Sequence, residues 1–197
     1  MRILKDEYGC DTVTLHRRLL DLVGLPAGSR SLDVGTGTGW MAVVLGEGDI
    51  DVVAVDLELR MLMRARDCWE HIAGEHSRSL KLVQADAMQL PFRTGSFDAV
   101  FSFDTLHHVP DCPCAVFEML RVCKPTGVFV AADLNPKGLR AVEEVMARYG
   151  ETHFDNGCRV ETVAHILEQR HLRFERHELD FVTAYIMRPV DQERTMQ

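Results

Sequence analysis

The sequence lacks both a long apolar segment and an excess of positive charge. No apolar run reaches the ~18 residues of a membrane span, and the apolar stretch at the N-terminus is too short for a signal peptide. The formal net charge of −8 and the isoelectric point of about 5.6 argue against broad electrostatic binding to nucleic acid. A local basic patch could form around Arg170, Arg173 and Arg176, although a solvated helix end and strand explain these residues more simply. We expect a cytoplasmic protein without a membrane span or a nucleic-acid partner.

The six cysteines also lack the paired spacing of a zinc site. There is no CxxC pair, and the only close pair is Cys112 and Cys114. Cys68 and Cys123 fall on apolar helix faces, which predicts that both are core residues. A metal or metalloid site could therefore draw only on Cys10, Cys112, Cys114 and Cys158, and we predict none. No GxxxxGK[ST] motif is present to hold a triphosphate.

The chain of 197 residues, 46% of them hydrophobic, is long enough for one domain with a substantial core. No repeat, low-complexity tract or linker interrupts it. Apolar periodicity and capping residues predict helices over 12–24, 38–46, 112–124, 138–149 and 160–170, and a further helix from Met61 to near Gly74. The helix that Asp111 caps is expected to bury Val116, Phe117, Met119, Leu120 and Cys123. Buried strands are predicted over 30–34, 51–56, 80–84, 97–102 and 127–132, with two further strands over 173–178 and 181–188.

Strands and helices alternate through the first two-thirds of the chain, which predicts an α/β fold with a parallel sheet and helices on both faces. The last two strands are joined by a connection around Leu179 and Asp180 that is too short for a crossover helix. We therefore expect them to form an antiparallel hairpin at one edge of the sheet.

A glycine-rich turn follows the first strand, in the segment LDVGTGTGW from Leu32 to Trp40. Glycine allows positive φ and close approach of a ligand, and the helix that follows offers free N–H groups and the positive end of its dipole. Ligands of open α/β sheets bind at the carboxyl ends of the strands. Polar residues stand at four further ends, namely Asp56, Asp86, Asp104 and Asp133. An acid after the second strand suits the two hydroxyls of a ribose.

The spacing of this turn argues against a dinucleotide. A dinucleotide site has the pattern GxGxxG/A, whose last small residue permits close packing of the helix on the strand. The present pattern is GxGxG, and the residue after Gly39 is Trp40. The carboxylate of Asp33 also suits a cationic group, such as an ammonium or a sulfonium, better than a pyrophosphate.

Five segments in order resemble the motifs of class I S-adenosylmethionine-dependent methyltransferases of the small-molecule type that includes the ubiquinone and menaquinone biosynthesis enzymes. They are LDVGTGTGW, VVAVDLELRML, VQADAMQLPF, SFDAVFSFDTLHHVPD and VCKPTGVFVAAD, and they span Leu32 to Asp133. The resemblance implies a Rossmann-like doubly wound sheet of seven strands in the order 3-2-1-4-5-7-6. It also implies S-adenosylmethionine as the cofactor and a small-molecule methyl acceptor.

The resemblance assigns cofactor contacts residue by residue. Asp33, Gly35, Thr36, Gly37 and Gly39 would line the methionine moiety and the ribose edge. Asp56 would hold the ribose hydroxyls, with Leu57 and Met61 beside the adenine. Asp86 would accept from the adenine amino group next to the N–H of Ala87, and Ser102 and Phe103 would lie near the methyl group. A helix cap or turn carboxylate is the alternative explanation of Asp56 and Asp86.

The catalytic group is left open, with His107, Asp104 and Asp133 as candidates. His107 and His108 could instead have a local packing or capping role, and Tyr8 could close over the site. Methyl transfer from a sulfonium is an in-line displacement on an activated donor, so a base is needed only where the acceptor must lose a proton. A non-catalytic S-adenosylmethionine-binding or regulatory protein is one alternative, and an NAD-dependent oxidoreductase is a weaker one.

We expect a single methyltransferase domain over 1–197, as a monomer or a homodimer. Within it, 1–29 would form an N-terminal helix and cap, 30–133 the cofactor-binding core, 134–170 the cover of the acceptor and 171–188 the edge hairpin. The segment from His153 to Asn156 is irregular and could carry an acceptor loop.

Overall fold

The chain folds around a seven-stranded sheet in the computed structural model, which describes residues 11–72, 79–152 and 158–189. The strands are β1 (Arg30–Val34), β2 (Asp51–Asp56), β3 (Leu80–Gln84), β4 (Phe97–Phe103), β5 (Cys123–Leu134), β6 (Phe174–Leu179) and β7 (Val182–Met187). The helices are α1 (Thr12–Val23), α2 (Trp40–Glu47), α3 (Leu59–Ile72), α4 (Cys112–Val122), α5 (Pro136–Arg148) and α6 (Val160–Gln169), and a short 3-10 helix covers Leu106–His108. None of the helices within these ranges has the length and apolar character needed to cross a membrane.

The strand order is 3-2-1-4-5-7-6, which confirms the predicted topology. Strands β1 to β5 run parallel to one another. Strand β7 pairs antiparallel with both β5 and β6, as expected for a hairpin at the sheet edge. The chain continues from β1 to β2 and β3 on one side of the sheet and then crosses to β4 on the other side of β1. The loop after β1 therefore lies at the switch point of the sheet, where ligands of such sheets bind.

The two faces of the sheet carry separate cores. On one face, apolar residues of α4 and α6, such as Val116, Met119 and Leu167, pack against the strands. On the other face, Leu19 of α1 and Leu45 of α2 belong to a second buried cluster. Burial on both faces explains why β1, β2 and β4 read as nearly continuous apolar runs rather than as alternating patterns.

Several helix boundaries follow from the capping residues in the sequence. The Asp11 carboxylate accepts from the Thr14 N–H at 3.4 Å, and Gly24 ends α1 with a φ of 65°. Asp111 accepts from the Cys114 N–H at 3.0 Å at the start of α4. Asn135 caps α5 through the N–H groups of Lys137 and Gly138, so this helix begins two residues earlier than predicted, at Pro136.

The start of β5 differs from the prediction. Two residues that were predicted to be buried by the preceding helix, Cys123 and Phe117, also have different surroundings. Strand β5 begins at Cys123 rather than at residue 127, because Cys123 pairs with Phe97 ahead of a register shift in the β4–β5 ladder. Cys123 is therefore buried in a strand and not on a helix face. Phe117 is 41% exposed rather than buried, and its ring lies against the Arg170 guanidinium at 4.4 Å. Cys68 is only partly buried.

Helix α1 is tied to the edge hairpin at its C-terminal end and near its middle. The Arg188 guanidinium, just after β7, donates to the carbonyls of Val23 at 2.8 Å and Leu22 at 2.5 Å. These are terminal carbonyls that the helix itself cannot satisfy. Arg18 also forms an ion pair of 2.9 Å with Asp180 in the β6–β7 turn. The hairpin thereby helps to place α1 over the carboxyl edge of the sheet.

Candidate functional site

The glycine turn after β1 is fastened to the end of β2. The N–H groups of Gly35 and Thr36 both donate to the Val55 carbonyl at 2.9 Å, and the Gly37 N–H donates to Asp56 Oδ2 at 2.9 Å. Gly35, Gly37 and Gly39 have φ values of 73°, 53° and 86°, in the left-handed region that favours glycine. The alternating glycines are therefore required by the path of the backbone.

Two of these glycines also permit close approach of other segments. A Cβ on Gly35 would overlap the side chain of Thr105, whose hydroxyl lies 2.9 Å from the Gly35 carbonyl oxygen. A Cβ on Gly39 would lie 2.8 Å from Cα of Ala65 in α3. The third glycine thus allows close approach of the next helix, and Trp40 is accommodated because it lines a cavity instead. A Cβ on Gly37 would meet no atom within 4 Å, so this residue faces open space.

Asp33 lies at the base of the turn with only 1% of its surface exposed. Its Oδ2 atom has no hydrogen-bond partner among the described residues. Burial raises the pKa of this carboxyl to about 7, and the nearby Asp56 charge acts in the same direction. A buried carboxylate with one unsatisfied oxygen is costly by itself and would be stabilised by a cationic ligand group.

Two cavities meet at the glycine turn. The larger one, about 1370 Å³ including its open mouth, runs from Gly35 and Gly37 past Asp56 to Asp86. We call it the large cavity, and Leu57, Met61 and Ala87 line it as well. The second, the loop cavity, is about 460 Å³ and is lined by Asp33, Thr36 and Trp40 among others. Residues predicted from four strand ends are thus brought together around one continuous edge.

The two acids of the large cavity are also fixed by backbone N–H groups. Asp56 Oδ1 accepts from the Glu58 N–H at 2.9 Å, in addition to the contact between Oδ2 and Gly37. Asp86 Oδ1 accepts from the Met88 N–H at 2.8 Å. These bonds are turn contacts, as the alternative explanation of both residues required. They leave lone pairs on both carboxylates for ligand hydroxyl or amino groups, so the two roles are compatible.

A third cavity, here called the apolar cavity, lies on the other side of Asp104. Its volume is about 420 Å³, and its walls include Leu15 of α1, Val142 of α5 and Phe181 before β7. Asp104 lines this cavity, the loop cavity and the large cavity, and so stands where all three adjoin. Its backbone has a φ of 54°, held in part by a 2.8 Å bond from its N–H to the Ala132 carbonyl.

The Asp104 carboxyl is exposed to these cavities but is otherwise crowded by protein. Burial raises its pKa to about 6, the Asp133 charge raises it further and His107 opposes the shift. No described residue donates a hydrogen bond to this carboxylate. It is therefore ionised above pH 6 and available to a ligand.

His107 and Asp133 form a buried pair, with only 5% of each side chain exposed. His107 Nδ1 donates to Asp133 Oδ1 at 2.6 Å, and the His107 N–H donates to Oδ2 at 3.3 Å. The Leu134 N–H donates to Oδ1 as well. The pair lines a separate cavity of about 250 Å³, together with Cys158 and Arg159. Of the two histidines, His108 is the one that lines the large cavity.

Asp104, His107 and Asp133 each bring one potential ligand atom within 4.8 Å of the others, close enough to share a metal ion. Both oxygens of Asp133, however, already accept hydrogen bonds, two of them from His107 itself. A metal would have to displace this buried pairing. We therefore assign the His107–Asp133 pair a hydrogen-bonded role, and the absence of a metal stays a prediction.

Helix α1 contributes residues that the sequence analysis did not single out. His16 lines the loop cavity, stacks on Phe103 with ring centroids 4.0 Å apart, and donates from Nδ1 to the Thr12 carbonyl at 2.6 Å. Burial lowers its pKa to about 4, so the ring is neutral at physiological pH. Thr12 lines both the loop cavity and the apolar cavity. His16 shares the buried face of the helix with Leu15 and Leu19, and a histidine in that apolar stripe was the available signal.

Of three further residues predicted to contact the cofactor, one lines a cavity and two do not. Phe103 lines the loop and apolar cavities, and its position near the reacting methyl group stays a prediction. Ser102 is buried in the sheet, its hydroxyl has no hydrogen-bond partner in the described part of the chain, and it lines none of the four cavities. Gly39 contacts Ala65 instead of a cavity. Its predicted part in binding therefore rests on the shape of the turn.

Two cysteines that sequence spacing left unpaired are joined in the structure. Cys112, at the start of α4, and Cys158, just before α6, form a disulfide with Cα atoms 6.2 Å apart. Cys114 is free, and its thiol contacts the Met88 carbonyl. The possible roles of Tyr8, of Cys10 and of the segment from His153 to Asn156 lie outside the described residues.

Comparison with known proteins supplies the family. A sequence model described as a methyltransferase domain matches residues 32–131. The chain belongs to the methyltransferase domain family. The resemblance seen in the five motifs is thereby confirmed, and with it S-adenosylmethionine as the cofactor.

Relatives and solved structures are similar over different lengths. The 27-O-demethylrifamycin SV methyltransferase of Amycolatopsis mediterranei is 31% identical over 71% of this chain and 53% of its own. The demethylmenaquinone methyltransferase of Renibacterium salmoninarum is 38% identical over 61% of this chain and 47% of its own. The chain thus spans about half the length of these curated relatives.

Among solved structures, the PH0226 protein of Pyrococcus horikoshii superposes with a TM-score of 0.75 at 20% identity. The match covers 96% of this methyltransferase-family chain and 94% of the PH0226 chain. A SAM-dependent methyltransferase from Aquifex aeolicus gives a TM-score of 0.67 at 21% identity, over 91% and 94% of the two chains. These likenesses show that the fold extends across nearly the whole chain.

Proposed function

We propose that this protein transfers a methyl group from S-adenosylmethionine to a small-molecule acceptor by in-line displacement. The observation that carries the proposal is the position of Asp104, which lines both cofactor-side cavities and the apolar cavity. An acceptor in the apolar cavity would therefore reach the junction of the two halves of the cofactor site. That is where a methyl group between the methionine and adenosine moieties would lie.

The residues present fit the cofactor. The unsatisfied Oδ2 of Asp33 suits the ammonium or the sulfonium of its methionine half, and Gly37 leaves open space where a side chain would intrude. Asp56 would accept from the ribose hydroxyls and Asp86 from the adenine amino group. When bound, the cofactor supplies a methyl group on a positively charged sulfur.

The protein's own contribution is mainly orientation and exclusion of water. The Gly37 N–H and Asp56 hold the turn and the ribose in one arrangement, and Phe103 with His16 forms an apolar, uncharged wall at the loop cavity. Such positioning is worth several kcal/mol for a displacement on an activated donor. Asp104 would orient the acceptor and take its proton where one must leave. His107 and Asp133, buried beside it, would adjust the pKa of that carboxylate in opposite directions.

The test combines binding and turnover. Calorimetry should detect S-adenosylhomocysteine binding to the full chain, and a labelled methyl donor should transfer its label to members of a panel of small acceptors. Binding without transfer to any acceptor would favour a regulatory protein instead, and failure to bind would remove the proposed function altogether. A cytoplasmic location, a monomeric or homodimeric state and a single domain over 1–197, with 134–170 as the acceptor cover, stay predictions.

A further inference from the structure

The apolar cavity combines many hydrocarbon walls with one acidic group. Leu15, Phe103, Leu134, Val142, Phe181 and Val182 supply apolar surface, and Thr12 is the polar neighbour of Asp104. Asp104 is the single ionisable side chain among the described residues that line it. A ligand of this cavity would therefore be largely apolar, with one polar group directed at Asp104.

The charges around Asp104 are predominantly negative. Asp33, Asp56, Glu58 and Asp86 line the two cofactor-side cavities, and no lysine or arginine is found among the described residues lining these two cavities or the apolar one. Arg159 lines the separate small cavity beside His107. Lys137 does not line the apolar cavity, and its Nζ lies over the Phe181 ring, 4.3 Å from the centroid. An anionic acceptor would therefore meet carboxylates and no lysine or arginine among the described residues of these cavities.

The Asp104 carboxylate also has hydrogen-bonding capacity to spare. Its neighbour Asp133 is satisfied by two N–H groups of His107 and Leu134 and by the His107 ring. No described residue donates to Asp104 itself. A carboxylate that is open to a cavity and unpaired is the expected partner of a ligand donor that carries positive charge.

We propose that the methyl acceptor is an apolar amine whose nitrogen is held by Asp104 at the junction of the three cavities. The inference rests on the proposed methyl transfer and names its substrate class. The amine enters as an ammonium ion paired with Asp104 and loses one proton, which the Asp104 carboxylate takes and passes on to solvent. The nitrogen lone pair then forms the new C–N bond while the C–S bond breaks, with its electron pair going to sulfur. The product ammonium donates to the Asp104 carboxylate or gives up its extra proton to solvent.

A matched set of ligands tests this choice. We would measure 2-naphthylmethylamine, 2-naphthylmethanol, 2-naphthol and 2-naphthoic acid by calorimetry on the full chain saturated with S-adenosylhomocysteine. The amine should bind at least tenfold more tightly than either alcohol, and the acid should not bind detectably. With a labelled methyl donor, the amine should become N-methylated and the naphthol should remain unchanged.

Substitution at Asp104 separates charge from shape. Asp104→Asn should reduce amine affinity about 10- to 100-fold, because the charge that pairs with the ammonium is lost. The affinity for 2-naphthylmethanol should be unchanged, because asparagine also tolerates the positive φ of this position. Asp49→Asn is the matched control, since Asp49 also has positive φ, at 59°, but lies in the turn before β2 and lines none of the described cavities. It should change neither affinity.

The outcomes distinguish this inference from the function on which it rests. Equal binding of amine and alcohol, methylation of the naphthol, or amine binding that survives Asp104→Asn would overturn the amine assignment. In each case S-adenosylhomocysteine would still bind. Failure of S-adenosylhomocysteine to bind would refute the proposed function itself.

Discussion

Replacing Gly35 by alanine is expected to destabilise the protein considerably more than the same replacement at Gly37. Both residues have positive φ, at 73° and 53°, so both substitutions carry the left-handed penalty of about 1–2 kcal/mol. Alanine recovers about 0.4–1 kcal/mol by restricting the unfolded chain. Gly37→Ala should therefore cost about 1 kcal/mol, because its new Cβ meets nothing within 4 Å.

Gly35→Ala carries an additional steric cost. Its Cβ would overlap Cγ2 and Oγ1 of Thr105, and overpacking of this kind costs about 1–3 kcal/mol. The total should reach about 2–4 kcal/mol. Thr105→Ala alone should cost about 1 kcal/mol, because the hydroxyl loses its contacts with the carbonyls of Gly35 at 2.9 Å and Phe103 at 3.0 Å.

The double variant Gly35→Ala/Thr105→Ala identifies the clash. Removing Cγ2 and Oγ1 leaves only Cβ of Thr105, at 2.8 Å from the new methyl group, so the double variant should lose about 1–2 kcal/mol less than the sum of the single changes. Urea denaturation monitored by circular dichroism gives the free energies of unfolding of the four variants and of the unsubstituted protein. Equal losses for Gly35→Ala and Gly37→Ala, or strict additivity with Thr105→Ala, would refute the steric reasoning.

Three further predictions concern the cofactor, the disulfide and pH. Asp56→Ala should weaken S-adenosylhomocysteine binding about 10- to 100-fold in calorimetry, since it loses both the ribose contact and the Gly37 N–H bond. Asp51→Ala, at the other end of the same strand, should have no effect, and an unchanged affinity of the Asp56 variant would contradict the assignment. Reducing the bond between Cys112 and Cys158, 46 residues apart, should lower the free energy of unfolding by about 2–4 kcal/mol, and a Cys112→Ser/Cys158→Ser variant should be insensitive to reductant. Two reactive thiols at these positions without reductant would show that the bond is not formed. Because the pKa of Asp33 is raised from 3.8 to about 7, the folded state holds this proton more tightly than the unfolded chain, and stability should fall as pH rises across that interval. Asp33→Asn should lack this component, which reaches about 1.4 kcal/mol per pH unit, so parallel pH profiles of the two proteins would contradict it.

The cofactor side of the molecule was readable because local signals agree there. Apolar strands, a glycine turn and an acid after the second strand each restrict the backbone independently, and their order in the chain determines where they meet in a parallel sheet. Asp33, Asp56 and Asp86 line the two cavities beside the glycine turn, and their contacts with the cofactor stay predictions. The close approach to α3 is made by Gly39, whose Cβ position lies 2.8 Å from Cα of Ala65, and Trp40 lines the loop cavity.

The acceptor side could not be read in the same way, because it is assembled from distant segments. Leu15 of α1, Val142 of α5 and Phe181 before β7 meet only in the folded chain. Each has an ordinary place in an amphipathic helix or an apolar strand, so periodicity marks it as core. Residues of α5, within the predicted cover over 134–170, line the apolar cavity, and so does Leu15 of α1, which the sequence analysis placed in an N-terminal helix and cap.

The misplaced residues have similar causes. Helical periodicity predicted that Cys123 belongs to α4, whereas the structure pairs it with Phe97, so that it begins β5. Phe117 was assigned to the core by its apolar character alone, although its ring packs on Arg170 at the surface. The pairing of Cys112 with Cys158 depends on how α4 and α6 pack on the same sheet face, which spacing in the sequence does not reveal.

The attachment of α1 to the edge hairpin links the position of the last strand to the shape of the loop cavity beside the glycine turn. Arg188 holds the terminal carbonyls of α1, and the same helix carries His16 and Thr12 at the loop cavity. A substitution in the hairpin would therefore alter the width of the acceptor entrance from a distance, without changing a residue that touches either ligand. Selection for a new acceptor could accordingly act on Arg188 or Asp180 while leaving the methyl-donor site intact.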